Sequence, residues 1–174
     1  MSDVAPLGDG YEPVDIEPER FPFAPGIKWF DLTEQAASLP SGHYDLIVHS
    51  HVMEHLRGNV TAVLFHLHRA LKPDGRQVCC IPVVRGRHYA EDLGPLDPED
   101  AKRRFGQEDH LRIFGGEDLP ATLGMIFALP ARYDLLGEYD EALLRRHAIP
   151  EVVWRDWSAS SVLVLGRDDL LLTT

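Results

Sequence analysis

The sequence is poor in cysteine and in positive charge, and it has no long apolar run. Only two cysteines occur in 174 residues, Cys79 and Cys80, and they are neighbours. Consecutive side chains of a strand point to opposite faces, so a disulfide between them is disfavoured. A fold stapled by disulfides is excluded, and the usage fits a reducing cytoplasm. Lys and Arg total 17 against 28 Asp and Glu, a formal net charge of −11. Nucleic-acid binding rests on clustered Lys and Arg, so no nucleic-acid partner is expected. No stretch of 18 apolar residues is present, so no membrane span is expected. Residues 1–10 lack a basic start followed by an apolar run, so they do not read as a secretory signal. The expected location is the cytoplasm.

What remains is an ordinary globular composition, 44% hydrophobic and 26% charged. Its length suits one domain over residues 1–174 with a sizeable core. Residues 1–10, with Pro6, Gly8 and Gly10, read as a flexible lead-in. Short apolar runs at 11–15 and 27–30 predict strands, each ending in an acid. Thr33 opens a weak helix to about Leu39, and Pro40-Ser41-Gly42 makes a turn. The continuous apolar run at 44–48 predicts a strand covered on both faces. Asn59 caps a helix to about Leu71, with Val60, Val63, Leu64, Leu67 and Leu71 at helical spacing. Pro73-Asp74-Gly75 ends it, and 76–82 predicts the next strand. Residues 84–115 are rich in charge, Gly and Pro. Loops this long in compact domains tend to be functional lids, so this segment is read as a lid or substrate-side insertion with a short helix near 98–104. A helix at 117–127, a strand at 132–136, a helical excursion at 138–147 and a closing strand at 160–165 complete the chain. Alternating strands and helices predict an α/β fold: a Rossmann-like open, mostly parallel sheet with helices on both faces. The last two strands are expected to form an antiparallel edge pair.

The most informative stretch is Tyr44-Asp45-Leu46-Ile47-Val48-His49-Ser50-His51-Val52-Met53-Glu54-His55-Leu56, followed by Leu71-Lys72-Pro73-Asp74-Gly75. Ligands of open α/β sheets sit at the carboxyl ends of strands. An acidic, imidazole-rich cluster in that place points to a site rather than to packing alone. The segment resembles the fourth and fifth motifs of class I S-adenosylmethionine-dependent methyltransferases. The stretch Tyr11-Glu12-Pro13-Val14-Asp15-Ile16-Glu17-Pro18 is similar to the second motif, whose acid accepts hydrogen bonds from the cofactor ribose. The resemblance places Asp15 there, with Ile16 beside it, and a carboxylate suits a vicinal diol. Phe30-Asp31-Leu32-Thr33 is similar to the third motif, which puts Asp31 and Leu32 near the adenine. His49, Ser50 and His51 fall where the fourth motif lines the methionine end. Phe105-Gly106-Gln107-Glu108-Asp109-His110-Leu111-Arg112-Ile113-Phe114-Gly115, preceded by His88-Tyr89-Ala90-Glu91-Asp92, resembles a segment of a bacterial subgroup of the "methyltransferase type 11" kind. It implies a substrate-side wall that includes His55, Tyr89, Asp109 and Arg112. If the reaction needs a base, His110 or His51 would supply it, since neutral imidazole is available near pH 7.

The chain departs from that family at its start. Only 14 residues precede Asp15, too few for the first strand, its glycine-rich turn and the following helix. Leu7-Gly8-Asp9-Gly10 is too close to Asp15 to be that turn. The fold is therefore read as N-terminally truncated. The gap in the sheet has three candidate fillers: direct pairing of the neighbouring strands, a second chain forming a homo-oligomer, or the N-terminal tail.

Each residue also has a plainer reading. Asp15 can be a turn carboxylate, and Asp31-Leu32-Thr33 is a good helix N-cap arrangement. Glu54 and His55 can cap and orient the next loop, and Asp109, His110 and Arg112 can form a network that holds the insertion. Three histidines at 49, 51 and 55 invite a metal, and the cluster superficially resembles the His-x-His-x-Asp-His signature of metal-dependent hydrolases. Met53 and Glu54 break that pattern, so no metal site is expected. His66 and His68 are expected on the helix surface or partly packed, and Trp154 and Trp157 in the core or an interface. The leading expectation is methyl transfer from S-adenosylmethionine to a small-molecule or sugar-like acceptor. The alternatives are a non-catalytic methyltransferase-fold module that oligomerises or pairs with a partner and, third, a metal-dependent hydrolase.

Overall fold

A computed structural model describes residues 10–24 and 26–172. Its centre is one helix laid on one face of a three-stranded sheet. The side chain of Asn59 accepts the Ala62 N–H at 3.1 Å and starts helix α2, Val60–Arg69. Val60, Val63, Leu64 and Leu67 are buried as their spacing demands. Each contributes about 1.5–3 kcal/mol of apolar burial. The sheet beneath consists of β3 (Tyr44–Ser50), β4 (Leu71–Cys80) and β8 (Val162–Gly166), in the order β3-β4-β8. β3 and β4 run parallel, and β8 is antiparallel to β4. In register, Ile47, Gln77 and Leu165 form one inward row, and His49, Cys79 and Leu163 the next. Both cysteines are free and buried, as adjacent residues of a strand must be unbridged. Burial pushes the Cys79 thiol up to about 12, which keeps it protonated and inert.

The outward face corrects an expectation. The run at 44–48 is not covered on both sides: Leu46 is 56% and Val48 65% exposed, with Val162 and Val164 at 46% and 63% on β8. An apolar row Val48–Val78–Val164 therefore faces outward. Helices cover only one face of this sheet among the described residues.

The remaining strands do not join it. β1 (Val14–Asp15) and β2 (Lys28–Trp29) form a parallel two-stranded sheet, with Asp15 opposite Trp29. β5 (Val83–Val84), β6 (Ala90–Glu91) and β7 (Arg112–Gly115) form a third sheet in the order β5-β7-β6. The expected single open sheet is thus divided into three among the described residues. Direct pairing of β1 with β3, one of the candidate ways to close the gap, does not occur there. The lead-in at 1–9 lies outside the described residues.

Asp31 caps helix α1, Leu32–Gln35, by accepting the Thr33 N–H at 2.8 Å, and a short 3-10 turn to Ser38 continues it. Residues 84–115 carry two strands and helix α3, Pro98–Phe105, which Asp97 caps and Gly106 ends at φ +96°. Positive φ is open to glycine without a Cβ penalty. Gly115 is required for another reason: a Cβ there would lie 2.2 Å from the Arg87 carbonyl oxygen.

Three later expectations also change. The helix at 117–127 is broken into a 3-10 turn, Leu119–Ala121, and helix α4, Leu123–Ile126. Pro120 lies at the first break, and Thr122 leaves helical geometry. Residues 132–136 make no strand but an isolated bridge, Asp134 to Arg155, because the Asp134 side chain takes the Leu136 N–H and turns the chain. Helix α5, Glu141–Arg146, follows. The closing strand pairs antiparallel with β4, not with 132–136. His68 is buried rather than on the surface, Trp154 is in the core, and Trp157 packs against it. None of the described helices is long and apolar enough to cross a membrane.

Candidate functional site

β3 ends at Ser50, and the backbone turns sharply at His51, which adopts φ +54°. Its N–H still reaches the Cys80 carbonyl at 3.0 Å. The turn throws the chain over the carboxyl end of the sheet, and residues 51–58 meet the segment 105–112 there. His51 Nδ1 lies 3.1 Å from Glu54 Oε1, and His51 Nε2 lies 3.6 Å from Cys80 Sγ. Glu54 is fully buried, and its carbonyl accepts the Leu111 N–H at 3.0 Å. The His55 and His110 rings meet edge to face at 4.7 Å. His110 Nδ1 contacts the Phe105 carbonyl at 3.1 Å, and His55 Nδ1 contacts Asp109 Oδ2 at 3.3 Å.

Arg112 underpins this arrangement. Its side chain is fully buried. Nε donates to Glu91 Oε2 at 2.8 Å, Nη2 donates to the Gly58 carbonyl at 3.1 Å, and Nη1 donates to the Met53 carbonyl. One guanidinium thus ties both ends of the turn 53–58 to the third sheet, a task suited to its fixed fork of donors. Tyr89 shares the same acid, donating to Glu91 Oε2 at 2.9 Å, and its N–H bonds the Asp118 carboxylate at 2.9 Å. Burial, then the hydrogen bond to Glu91, raises the Tyr89 phenol above its ordinary value. An open cleft of about 330 Å³ lies alongside, lined by Gly58, Asn59, Val60, Thr61, Tyr89, Glu91 and Leu93.

Of the residues singled out in the sequence, His51, His55, Asp109 and His110 converge, with Arg112 beneath them. Tyr89 lines the neighbouring cleft. Asp15 ends β1, half-buried, with Oδ1 accepting the Glu17 N–H at 2.8 Å. Ile16 is exposed beyond it. Asp31 performs the N-cap role, and Leu32 packs against the core. Ser50 is exposed at the strand end, but His49 points inward. Gln77 Nε2 donates to His49 Nε2 at 2.9 Å, and Gln77 Oε1 lies 3.4 Å from His68 Nδ1. Burial alone pushes the His49 imidazole down to about 4, so it is neutral at pH 7.

Sequence reasoning undervalued Glu54 and Glu91. Glu54 stands out in retrospect as a carboxylate between His51 and His55, yet its burial depends on a segment some fifty residues away. Glu91 entered only as part of the His88–Asp92 segment, with no role of its own.

A family model described as a methyltransferase domain matches residues 3–129. No curated protein matches the chain. The matched span covers more than half of the chain and includes the β3–α2–β4 unit and the whole histidine cluster. The chain belongs to the methyltransferase domain family.

Proposed function

We propose that this protein is an S-adenosylmethionine-dependent methyltransferase of the type 11-like bacterial subgroup, acting on a small-molecule or sugar-like acceptor. The observation that carries the reading is the family match together with the polar cluster at the carboxyl end of β3, where open α/β sheets hold ligands. The cofactor would bring a sulfonium-activated methyl group, and the protein would hold the acceptor in line and take up a proton.

The residues at hand fit such a ligand in chemical type. A carboxylate offers about four lone-pair sites, so the one donor to Asp15 among the described residues, the Glu17 N–H, leaves capacity for a ribose diol. Asp15 and Trp29 are opposite each other in a parallel pair, so Asp15 and the Asp31-Leu32 segment follow strands that end on the same side. Ser50 is exposed at the end of β3. Among the imidazoles of the cluster, His51 is the most exposed and the one placed to act as base, with its side chain 47% exposed. The cleft beside Tyr89 and Glu91 would receive the acceptor, and its carboxylate suits hydroxyl groups.

Equilibrium dialysis with methyl-labelled S-adenosylmethionine tests this reading. Binding in the micromolar range is expected, weakened at least tenfold by Asp15→Ala, by analogy with the loss of a charge-assisted pair of hydrogen bonds. Binding equal in both proteins would remove Asp15 from the site, and no binding to folded protein would remove the cofactor.

A second reading draws on the outward face of the sheet. β3 has one strand neighbour among the described residues; Leu46 and Val48 lie exposed on that edge strand, and Val162 and Val164 extend the same apolar face across to β8. Open edges and apolar patches are sites of association. Antiparallel pairing of β3 with a second copy about Ile47 would set Leu46 opposite Val48 across the new edge. This reading makes the chain a homo-oligomeric module, in the extreme a non-catalytic one. Sedimentation is then expected to give a dimer that Val48→Lys converts to monomer. A monomer at all concentrations would contradict it.

A further inference from the structure

Glu54 poses a physical problem that neither reading solves. Its side chain is fully buried, and among the described residues Oε2 has no hydrogen-bond partner. An isolated buried carboxylate is costly; such groups are paired or coordinate a metal. The nearest cationic candidate, His51, contacts only Oε1. Beside it, His110 is 7% exposed, and its Nε2 also has no partner among the described residues. Two buried polar atoms left unsatisfied side by side are unusual in a folded protein. They converge with His55, and one ligand atom from each of Glu54, His55 and His110 lies within 4.8 Å of the others.

The outer contacts aim the rings inward. If His110 Nδ1 carries its proton, it donates to the Phe105 carbonyl, and Nε2 presents a lone pair to the cluster. His55 Nδ1 faces Asp109 in the same way, leaving its Nε2 3.9 Å from Glu54 Oε1. Metal-bound histidines are held in this manner, with the second nitrogen donating to a carbonyl or carboxylate that fixes the tautomer. Two imidazoles and one carboxylate form a donor set for zinc or a similar first-row divalent ion, with a further position left for water or substrate. Ligand atoms around tetrahedral zinc lie about 3.3 Å apart, from bonds of about 2.0–2.1 Å. Closing from a spacing of up to 4.8 Å takes at most about 1.5 Å, within reach of side-chain rotation in the half-exposed His55.

We propose that Glu54, His55 and His110 form a site for a divalent transition metal of the zinc class, oriented by Phe105 and Asp109. It stands on these side chains alone and does not depend on cofactor binding. The ion would neutralise the buried carboxylate and satisfy both orphaned atoms. A coordination position left open by these three ligands would admit an oxygen ligand such as an acceptor hydroxyl.

The test uses tag-free full-length protein, stripped by chelator and titrated with Zn²⁺ and separately with Co²⁺. One equivalent per chain is expected at micromolar affinity or tighter, with an increase in Tm. The Co²⁺ form is expected to show d–d bands of a low-coordinate nitrogen and oxygen site without thiolate charge transfer, which separates this site from Cys80. Glu54→Gln and His110→Gln should each weaken binding at least a hundredfold. Asp109→Asn, at an exposed position that leaves the fold intact, should weaken it about tenfold. His88→Ala, at an exposed histidine outside the cluster, should change nothing. The proposal is overturned if no stoichiometric ion binds the folded protein. It is equally overturned if thiolate bands dominate, or if Asp109→Asn and His88→Ala behave alike.

Discussion

Arg112→Met is expected to destabilise the fold by about 2–6 kcal/mol, from two buried carbonyls left without donors at about 1–3 kcal/mol each. Arg112 is fully buried, while Glu91 is only partly shielded, so most of the loss is not a stranded acid. It comes from the carbonyls of Met53 and Gly58, which lose their donors in a dry interior. Methionine fills similar volume with no donors, so the cavity contribution is small. Arg112→Lys keeps the charge but not the planar fork, and an intermediate loss is expected. Urea unfolding at pH 7 measures both. A loss below about 1 kcal/mol for Arg112→Met would show that water or rearrangement satisfies those carbonyls, and the guanidinium would then not be what holds the turn 53–58. Because that turn carries Glu54 and His55, the variant should also loosen the histidine cluster before it unfolds the sheet.

The second large effect is a fall in stability on mild acidification. His49 is held neutral by burial, with its imidazole pushed from 6.5 down to about 4. Above pH 6.5 both folded and unfolded chains have it neutral, and it adds no pH dependence. As pH falls from 6.5 toward 4, the unfolded chain takes up the proton and the folded chain does not, so stability is progressively lost. The full difference is about 3 kcal/mol, from about 1.36 kcal/mol for each tenfold in proton affinity. The urea midpoint should therefore decline between pH 6.5 and 4.5 more steeply in the native protein than in His49→Leu. The variant has its own offset at neutral pH, because Gln77 loses an acceptor, but its slope should be flatter. Equal slopes would mean that His49 is solvated or paired in solution.

Much of the local structure was legible because it rests on short-range chemistry. The Asn59 and Asp97 caps, the α2 stripe and the end of α3 at Gly106 are written in neighbouring residues. The failures share a cause. Residues 44–48 read as doubly covered because an apolar run cannot say whether anything packs on each face, and here one face is bare. Residues 132–136 have strand composition, but the Asp134 side chain captures a backbone donor and makes a turn. At the site, the sequence pointed to His51, His55, Asp109, His110 and Arg112, and these do converge. It misjudged His49, because alternation along β3 turns that ring to the core while Ser50 faces out. It underweighted Glu54, which is fully buried and whose backbone is joined to Leu111 across the fold.

Amide hydrogen exchange of the full chain, with and without S-adenosylhomocysteine, tests the central claim most directly. If the family's cofactor is held at the strand ends, ligand should slow exchange at 14–17, 30–33 and 49–55, leaving β8 and α5 unchanged. Uniform exchange at saturating ligand, or protection confined to other segments, would contradict the placement of a cofactor at these residues.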